Sequence, residues 1–352
     1  LLMGETPRLI DEWQDAPVLW DAVRTMVDNR QVPGQFILTG STVVDRSKIH
    51  HSGTGRISRM KMLPMSLWES GESNGKISLK ELFDNKDLDI DGITSEMKIE
   101  DLIYAACRGG WPAFLNMKSD KAKLLIARNY VDAICRDDIS RVDGVQRDER
   151  TTRAILRSYA RNISTLAKNT ALLADVSLSM SAFEDYVTSL NKLFVIDNID
   201  AWCPAVRSKT AIRSGIKRAF VDPSIAIASI GLSPEALMTQ LKTFGFIFEQ
   251  MCARDLRTYT PGFGNHLSYY RDRYGLEADL VLHLDDGRYA LIECKLGSRE
   301  IEEGAKHLLE IKRLVQEHNK TEKHLMIVMT GGSMAYARPD GVKVIPLACL
   351  KD

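Results

Sequence analysis

Apolar positions in the first forty residues fall in the order strand, helix, strand. Leu9-Ile10 is a short apolar strand that runs into two adjacent acids, Asp11-Glu12. Pro17 opens a helix in which Val18, Leu19, Ala22, Val23, Met26 and Val27 recur at helical spacing, and Pro33-Gly34 breaks it before Phe36-Ile37-Leu38. The second strand ends in Thr39-Gly40-Ser41, hydroxyls on the carboxyl edge of a parallel sheet, where α/β folds bind ligands. Residues 70–100 are dense in Gly, Asn, Asp, Ser and Lys around one short amphipathic piece and predict a loop-dominated connection. From about 100 to about 195 the spacing is helical: Leu102-Ile103-Tyr104-Ala105-Ala106 stops at Gly109-Gly110-Trp111-Pro112, a second helix carries Leu125, Ala127, Tyr130, Val131 and Ile134, and three more follow near 151–162, 170–176 and 181–193. Apolar pieces at 193–196, 201–202 and 219–221 then alternate with Ser/Lys/Arg-rich turns, and three helices followed by a β-ribbon is the winged-helix pattern.

The sharpest alternation lies near the C-terminus. Glu277-Ala278-Asp279-Leu280-Val281-Leu282-His283-Leu284, the turn Asp285-Asp286-Gly287, and Arg288-Tyr289-Ala290-Leu291-Ile292-Glu293-Cys294-Lys295 read as a β-hairpin. A three-residue loop with Gly287 in the left-handed position pairs Leu284 with Arg288, and therefore Asp279 with Glu293. A two-residue Asp-Gly loop would instead oppose Asp279 to Cys294. In the first register Leu280 and Leu282 face Ile292 and Ala290, while Asp279, Glu293 and Lys295 share the other side by the strand period of two. Directly opposed residues have Cβ atoms roughly 5 Å apart, close enough for two carboxylates to share a hard cation. Asp, then Glu-x-Lys on the next strand, is the pattern of restriction-endonuclease-like nucleases, in which the acids bind Mg²⁺ and the lysine positions water or stabilises the phosphorane. Glu249, on the helix bearing Phe244, Ile247, Phe248, Met251 and Cys252, is either a further metal ligand or a solvated helix glutamate.

Composition narrows the partners. The 352 residues are 44% hydrophobic and 27% charged, ordinary for two or three globular domains, and 47 basic residues balance 47 acidic ones. Bulk charge therefore gives no affinity for nucleic acid, and any such site is regional. Arg207, Lys209, Arg213, Lys217 and Arg218 charge the expected ribbon, as phosphate contacts to DNA or as a solvated interdomain connector. Six scattered cysteines form no Cys-x-x-Cys pair, so neither a zinc site nor a disulfide framework is expected. No apolar stretch reaches spanning length, and the expected location is the cytoplasm.

The Arg8–Gln14 stretch reads as a Walker B strand end, with one acid for the Mg²⁺ shell and the next for water. No glycine-rich phosphate loop fits before it, and Gly71-Glu72-Ser73-Asn74-Gly75-Lys76-Ile77 has the wrong spacing and lacks the Ser or Thr that reaches the metal. With Leu1 in first place, the expectation is a chain truncated before Walker B, with negligible ATP affinity of its own. Its strand pair at 9–10 and 36–38 is then expected to have two open edges.

Taken with Gln35-Phe36-Ile37-Leu38-Thr39-Gly40-Ser41, Gly55-Arg56-Ile57, Pro64-Met65-Ser66-Leu67-Trp68-Glu69 and Arg108-Gly109-Gly110-Trp111-Pro112, these motifs resemble the prokaryotic AAA-type predicted ATPases that carry a central winged helix and a C-terminal restriction-endonuclease-like domain of unknown function. The resemblance covers essentially the whole chain. It implies a multidomain α/β fold: a partial AAA-type parallel sheet over 1–69, a linker and helical lid over 70–150, a winged-helix-like domain over 151–230, and an endonuclease-like α/β domain over 231–352. It also implies that Asp11 serves Mg²⁺, Glu12 activates water, and Thr39 or Ser41 senses the γ-phosphate of ATP. Arg56 is either a phosphate contact or a surface charge. The implied function is an ATPase coupled to DNA docking and Mg²⁺-dependent cleavage. The alternative is a nucleotide-regulated binding protein whose last domain recognises nucleic acid or a protein partner without cutting. Homo-oligomerisation is open, and no membrane partner is expected.

Overall fold

The protein is described from a computed structural model covering residues 2–42, 52–203, 215–260, 265–316 and 324–352. It is a mixed α/β structure. Strands β1 (Arg8–Ile10) and β2 (Phe36–Leu38) pair in parallel, joined by helix α1 (Val18–Arg30), as the apolar pattern predicts. Among the described residues this sheet has two strands, and Leu9 and Ile37 stand 61% and 53% exposed on it. The small sheet therefore lacks the cover that apolar strands normally have.

The polar stretch after residue 70 departs from expectation because it is partly core. Strand β3 (Ile77–Ser78) leads into α2 (Leu79–Asp84), capped by Ser78 Oγ on the Glu81 amide, and Ile77, Leu79, Leu82 and Ile90 are buried. β3 pairs in parallel with the chain's last strand, Leu350–Lys351.

The helical middle follows the predicted order: α3 (Ile99–Arg108), α4 (Asp120–Ala133), a short turn α5 (Ile139–Arg141), α6 (Glu149–Arg161), α7 (Asn169–Leu173) and α8 (Met180–Lys192). Side-chain caps fix several starts, with Asp148 accepting from Thr151 N and Ser179 from Ala182 N. After α8 come two antiparallel rungs, Ile196↔Phe220 and Ile199↔Lys217, and Asp200–Ala201 then forms β4. Helices α9 (Pro223–Ile230), α10 (Pro234–Met238) and α11 (Leu241–Tyr259) complete this part.

The Gly109-Gly110 motif has a steric reason. The Gly110 carbonyl accepts from Met65 N at 2.8 Å, and a Cβ on Gly110 would lie 2.2 Å from Met65 O. Only glycine allows the two backbones to meet. The same crossing is fixed by ions: Arg254 on α11 binds Asp255 at 2.7 Å and Asp222 at 3.3 Å, all three buried, while Asp255 accepts from Leu67 N and Asp222 from Gly110 N.

The C-terminal part is built on a seven-stranded mixed sheet in the order β4, β5 (Asn265–Arg271), β6 (Glu277–Leu284), β7 (Tyr289–Lys295), β8 (His324–Thr330), β10 (Lys343–Pro346), β9 (Tyr336–Ala337). β7 and β8 are parallel, with α12 (Ile301–Gln316) between them in the chain. Both sheet faces are core. Leu280, Leu282, Ala290 and Ile292 pack with α11, and Val281, Tyr289 and Leu291 with Ile301, Ala305 and Leu308 of α12. The sequence pattern predicts one apolar and one chemical face; instead the polar residues are confined to the strand ends.

Candidate functional site

The hairpin has the register that its turn chemistry predicts. Leu280 pairs with Ile292 and Leu282 with Ala290, Leu284 N bonds Arg288 O at 2.8 Å, and Gly287 takes φ 87°. The paired rungs end at Leu280↔Ile292, and one further step of the same register would set Asp279 opposite Glu293. There the ladder gives way to side chains: Asp279 Oδ2 accepts from Cys294 N at 2.8 Å. Asp279, Glu293 and Lys295 line one cavity of about 380 Å³, together with Glu249, Glu277, Arg271 and His307.

Each acid has a defined neighbour. Lys295 Nζ is 2.7 Å from Glu293 Oε2, and His307 Nδ1 on α12 is 3.7 Å from Glu293 Oε1. Glu293 is 2% exposed. Burial, reinforced by Asp279, pushes its pKa up to about 8, with Lys295 opposing. Burial disfavours the Lys295 ammonium, yet Asp279 and Glu293 outweigh it and hold its pKa above the ordinary lysine value. The Cys294 thiol between them is pushed well up by burial and by Cys252, so it stays protonated.

Glu249 lines the cavity rather than solvent, at 7% exposed. Burial, with Asp279 and Glu277 adding, pushes its pKa up to about 8 against the pull of Lys217. Lys217 is fully buried, its Nζ 2.9 Å from Glu249, 2.8 Å from Glu277 and 2.9 Å from the Asp279 carbonyl. Burial disfavours this ammonium too, but Glu249, Asp279 and Glu277 together raise its pKa. The cavity holds more carboxylate than cation, which keeps both lysines charged and the two most buried acids high.

This corrects the expectation for two basic residues of the ribbon. Lys217 and Arg218 do not face solvent phosphate, because both are turned inward. Arg218 is spent on Ala167 O, Tyr159 Oη and Asn169 Oδ1 at 2.7–2.9 Å. Arg207, Lys209 and Arg213 lie outside the described residues. The sequence reading also missed Glu277 and His307 in the cavity. Glu277 had a signal, since it precedes Asp279 by the strand period; His307 had none.

A second polar cluster sits at the ends of β1 and β2. Thr39 Oγ1 donates to Asp11 Oδ1, Ser41 Oγ is 3.1 Å from Glu12 Oε2, and Gln14 bonds both Glu12 and Ser41. Glu12 adopts φ 49°, a left-handed conformation uncommon for a residue with a Cβ, which turns its carboxylate toward Ser41. The two acids and two hydroxyls are thus brought together. Arg56 is not with them: its guanidinium binds Asp28 on α1 at 2.8 Å.

The described residues contain no group of three or more His, Cys, Asp or Glu arranged to hold a metal. A two-carboxylate site is a different case. Asp279 Oδ1 lies 4.0 Å from Lys217 Nζ and Glu293 Oε1 3.7 Å from His307, both beyond hydrogen-bond distance. Mg²⁺ takes one or two carboxylates and fills its remaining positions with water and phosphate oxygens, so this donor set fits it. No described helix is long and apolar enough to cross a membrane.

Comparison with known families gives three matches along the chain. Residues 3–70 match the family described as an AAA domain, residues 99–236 a domain of unknown function (DUF8612), and residues 244–350 a second domain of unknown function (DUF4143). The N-terminal segment is therefore similar to an AAA domain. No curated protein and no solved structure matches the chain.

Proposed function

We propose that the C-terminal sheet carries a Mg²⁺-dependent phosphodiesterase site acting on DNA, governed by an ATP-binding AAA-type segment. The observation that carries this reading is the meeting of Asp279, Glu293 and Lys295 in one cavity, just past the last rung of β6 and β7. Asp279 and Glu293 would hold the cation, which would supply Lewis-acid stabilisation of the attacked phosphate and a more acidic water. Lys295 approaches from the Glu293 side, where its ammonium neutralises charge developing on the phosphorane oxygens. His307 and Arg271 border the opening and offer donors to flanking phosphates.

In the N-terminal cluster, Asp11 would serve the nucleotide's Mg²⁺, Glu12 the attacking water, and Thr39 and Ser41 the γ-phosphate. The helices over 149–192 are the docking element for the duplex in this reading, with Arg207, Lys209 and Arg213 as phosphate contacts.

The test is a Mg²⁺-dependent cleavage assay on supercoiled, linear and branched DNA. Wild type should cleave at least one of them, and the Asp279→Ala/Lys295→Ala double variant should not. Equal product from both would sink the nuclease reading. A second reading, recognition of nucleic acid or a partner without turnover, is favoured by one observation: Glu249 is already neutralised by Lys217 and brings no third ligand to a metal. It predicts DNA retention by the wild type in the same assay without cleavage.

A further inference from the structure

Lys217 belongs to the stretch similar to one family and the acids around it to the stretch similar to another. From the rung that pairs it with Ile199 it reaches Glu249, Glu277 and Asp279, three of the acids that line the cavity. Its neighbours are joined to the cavity wall by backbone bonds: Ser164 N to Arg218 O and Arg218 N to Thr165 O, both 2.8 Å, and Ser164 and Thr165 line the same cavity. The middle of the chain thus supplies part of the site on the C-terminal sheet.

An ammonium has three donors, and Lys217 uses them on three oxygens from two elements: Glu249 Oε1 of α11, Glu277 Oε1 of β6 and the Asp279 carbonyl of β6, at 2.8–2.9 Å. The Tyr269 ring lies on a further side, 5.6 Å from Nζ. Convergence of hard oxygens on a single point, two of them carboxylate, is the geometry that a cation requires. Here the cation is covalently attached to the chain. A lysine in an ordinary structural ion pair needs one carboxylate and keeps its head near water; this one is fully buried and saturated.

We propose that Lys217 is a tethered cation filling a position, formed by the carboxylates of Glu249 and Glu277 and the backbone carbonyl of Asp279, that would otherwise take an oxygen-preferring divalent ion such as Mg²⁺ or Mn²⁺. This concerns the same cavity as the proposed phosphodiesterase and restricts it to the cation held between Asp279 and Glu293. Lys217 is a positioning residue in this scheme. It fixes the Asp279 backbone through the carbonyl and keeps a second ion out.

The experiment counts Mn²⁺ bound to the full chain by electron paramagnetic resonance, with Mn²⁺ as the sole added ligand. Lys217→Met should bind one more ion per chain than wild type, and adding Glu249→Gln should remove that extra ion. Lys217→Arg restores the charge and should return the count to the wild-type value, which a merely structural role would not require. If Lys217→Met does not fold, Lys217→Gln, which keeps a donor to the same oxygens, takes its place. An unchanged count in the charge-removing variant, or an extra ion that survives Glu249→Gln, overturns the proposal. The wild-type count reads separately on the Asp279–Glu293 cation: zero ions there defeats the phosphodiesterase reading, while the difference between variants still decides the role of Lys217.

Discussion

Replacing Arg254 by methionine should be among the most costly single changes in the molecule. Arg254 is 3% exposed and lies between Asp222 and Asp255, both wholly buried. Without the guanidinium, Asp222 keeps its bonds from Gly110 N and Ser224 N, whereas Asp255 keeps Leu67 N and the distant hydroxyl of Tyr259 but loses its cationic partner. Removing one partner of a buried pair costs about 3–5 kcal/mol, because the remaining charge has no water and no counterion. Asp255 can escape by taking up a proton, and burial already holds its pKa above the ordinary aspartate value. A carboxyl that is protonated in the fold and ionised in the unfolded chain loses stability as pH rises between its two pKa values, at about 1.4 kcal/mol per unit. The loss in Arg254→Met should therefore be larger at the higher of two pH values taken above the ordinary aspartate value. Urea unfolding at both pH values, followed by tryptophan fluorescence and circular dichroism, measures it. Adding Asp255→Asn to Arg254→Met removes the stranded charge and should recover much of the stability. A single-variant loss below about 1 kcal/mol, or no recovery in the double variant, would refute the reasoning.

Two further outcomes follow from the packing and the cavity. Gly110→Ala forces a Cβ to within 2.2 Å of Met65 O and should cost at least about 2 kcal/mol, whereas Gly245→Ala, in open space within α11, should stabilise by roughly 0.5–1 kcal/mol; paired thermal melts compare them. Glu293, whose pKa stands at about 8 in the fold, contributes stability that is lost as pH rises from the unfolded carboxylate value through 8, so Glu293→Gln should flatten the melting temperature between pH 5 and pH 9 in metal-free buffer. A decline as steep as that of the wild type would show that another group governs that range.

The hairpin was legible because its turn residues set the register: Gly287 takes the left-handed position, and every rung down to Leu280↔Ile292 follows from it. The burial of both sheet faces was also written in the sequence, in the unbroken apolar runs Leu280-Val281-Leu282 and Tyr289-Ala290-Leu291-Ile292, which suit a strand covered on two sides better than one half in water. Lys217 was not legible in that way. Its charge and its Ser/Lys/Arg-rich neighbourhood suit a surface ribbon, and only the fold brings Glu249 and Glu277 to its ammonium. The same holds for Ile77 and Leu79, which look isolated among polar residues until the strand Leu350–Lys351 comes alongside.

The segment from Pro64 to Ser78 is a rigid spoke. It starts with Thr258 on the Pro64 carbonyl and Met65 on Gly110, continues with Leu67 on Asp255 and Glu72 on Arg108, and ends with Asn74 on Ala348 and Ser78 on Asp352. Just before it, Met60 and Met62 are each 85% exposed, and a single ion pair, Lys61 with Asp197 at 2.8 Å, ties the approach down. Any displacement of the β1–β2 unit against α11 and the C-terminal sheet would therefore have to be taken up ahead of Pro64, because from Pro64 onward the chain is bonded to both.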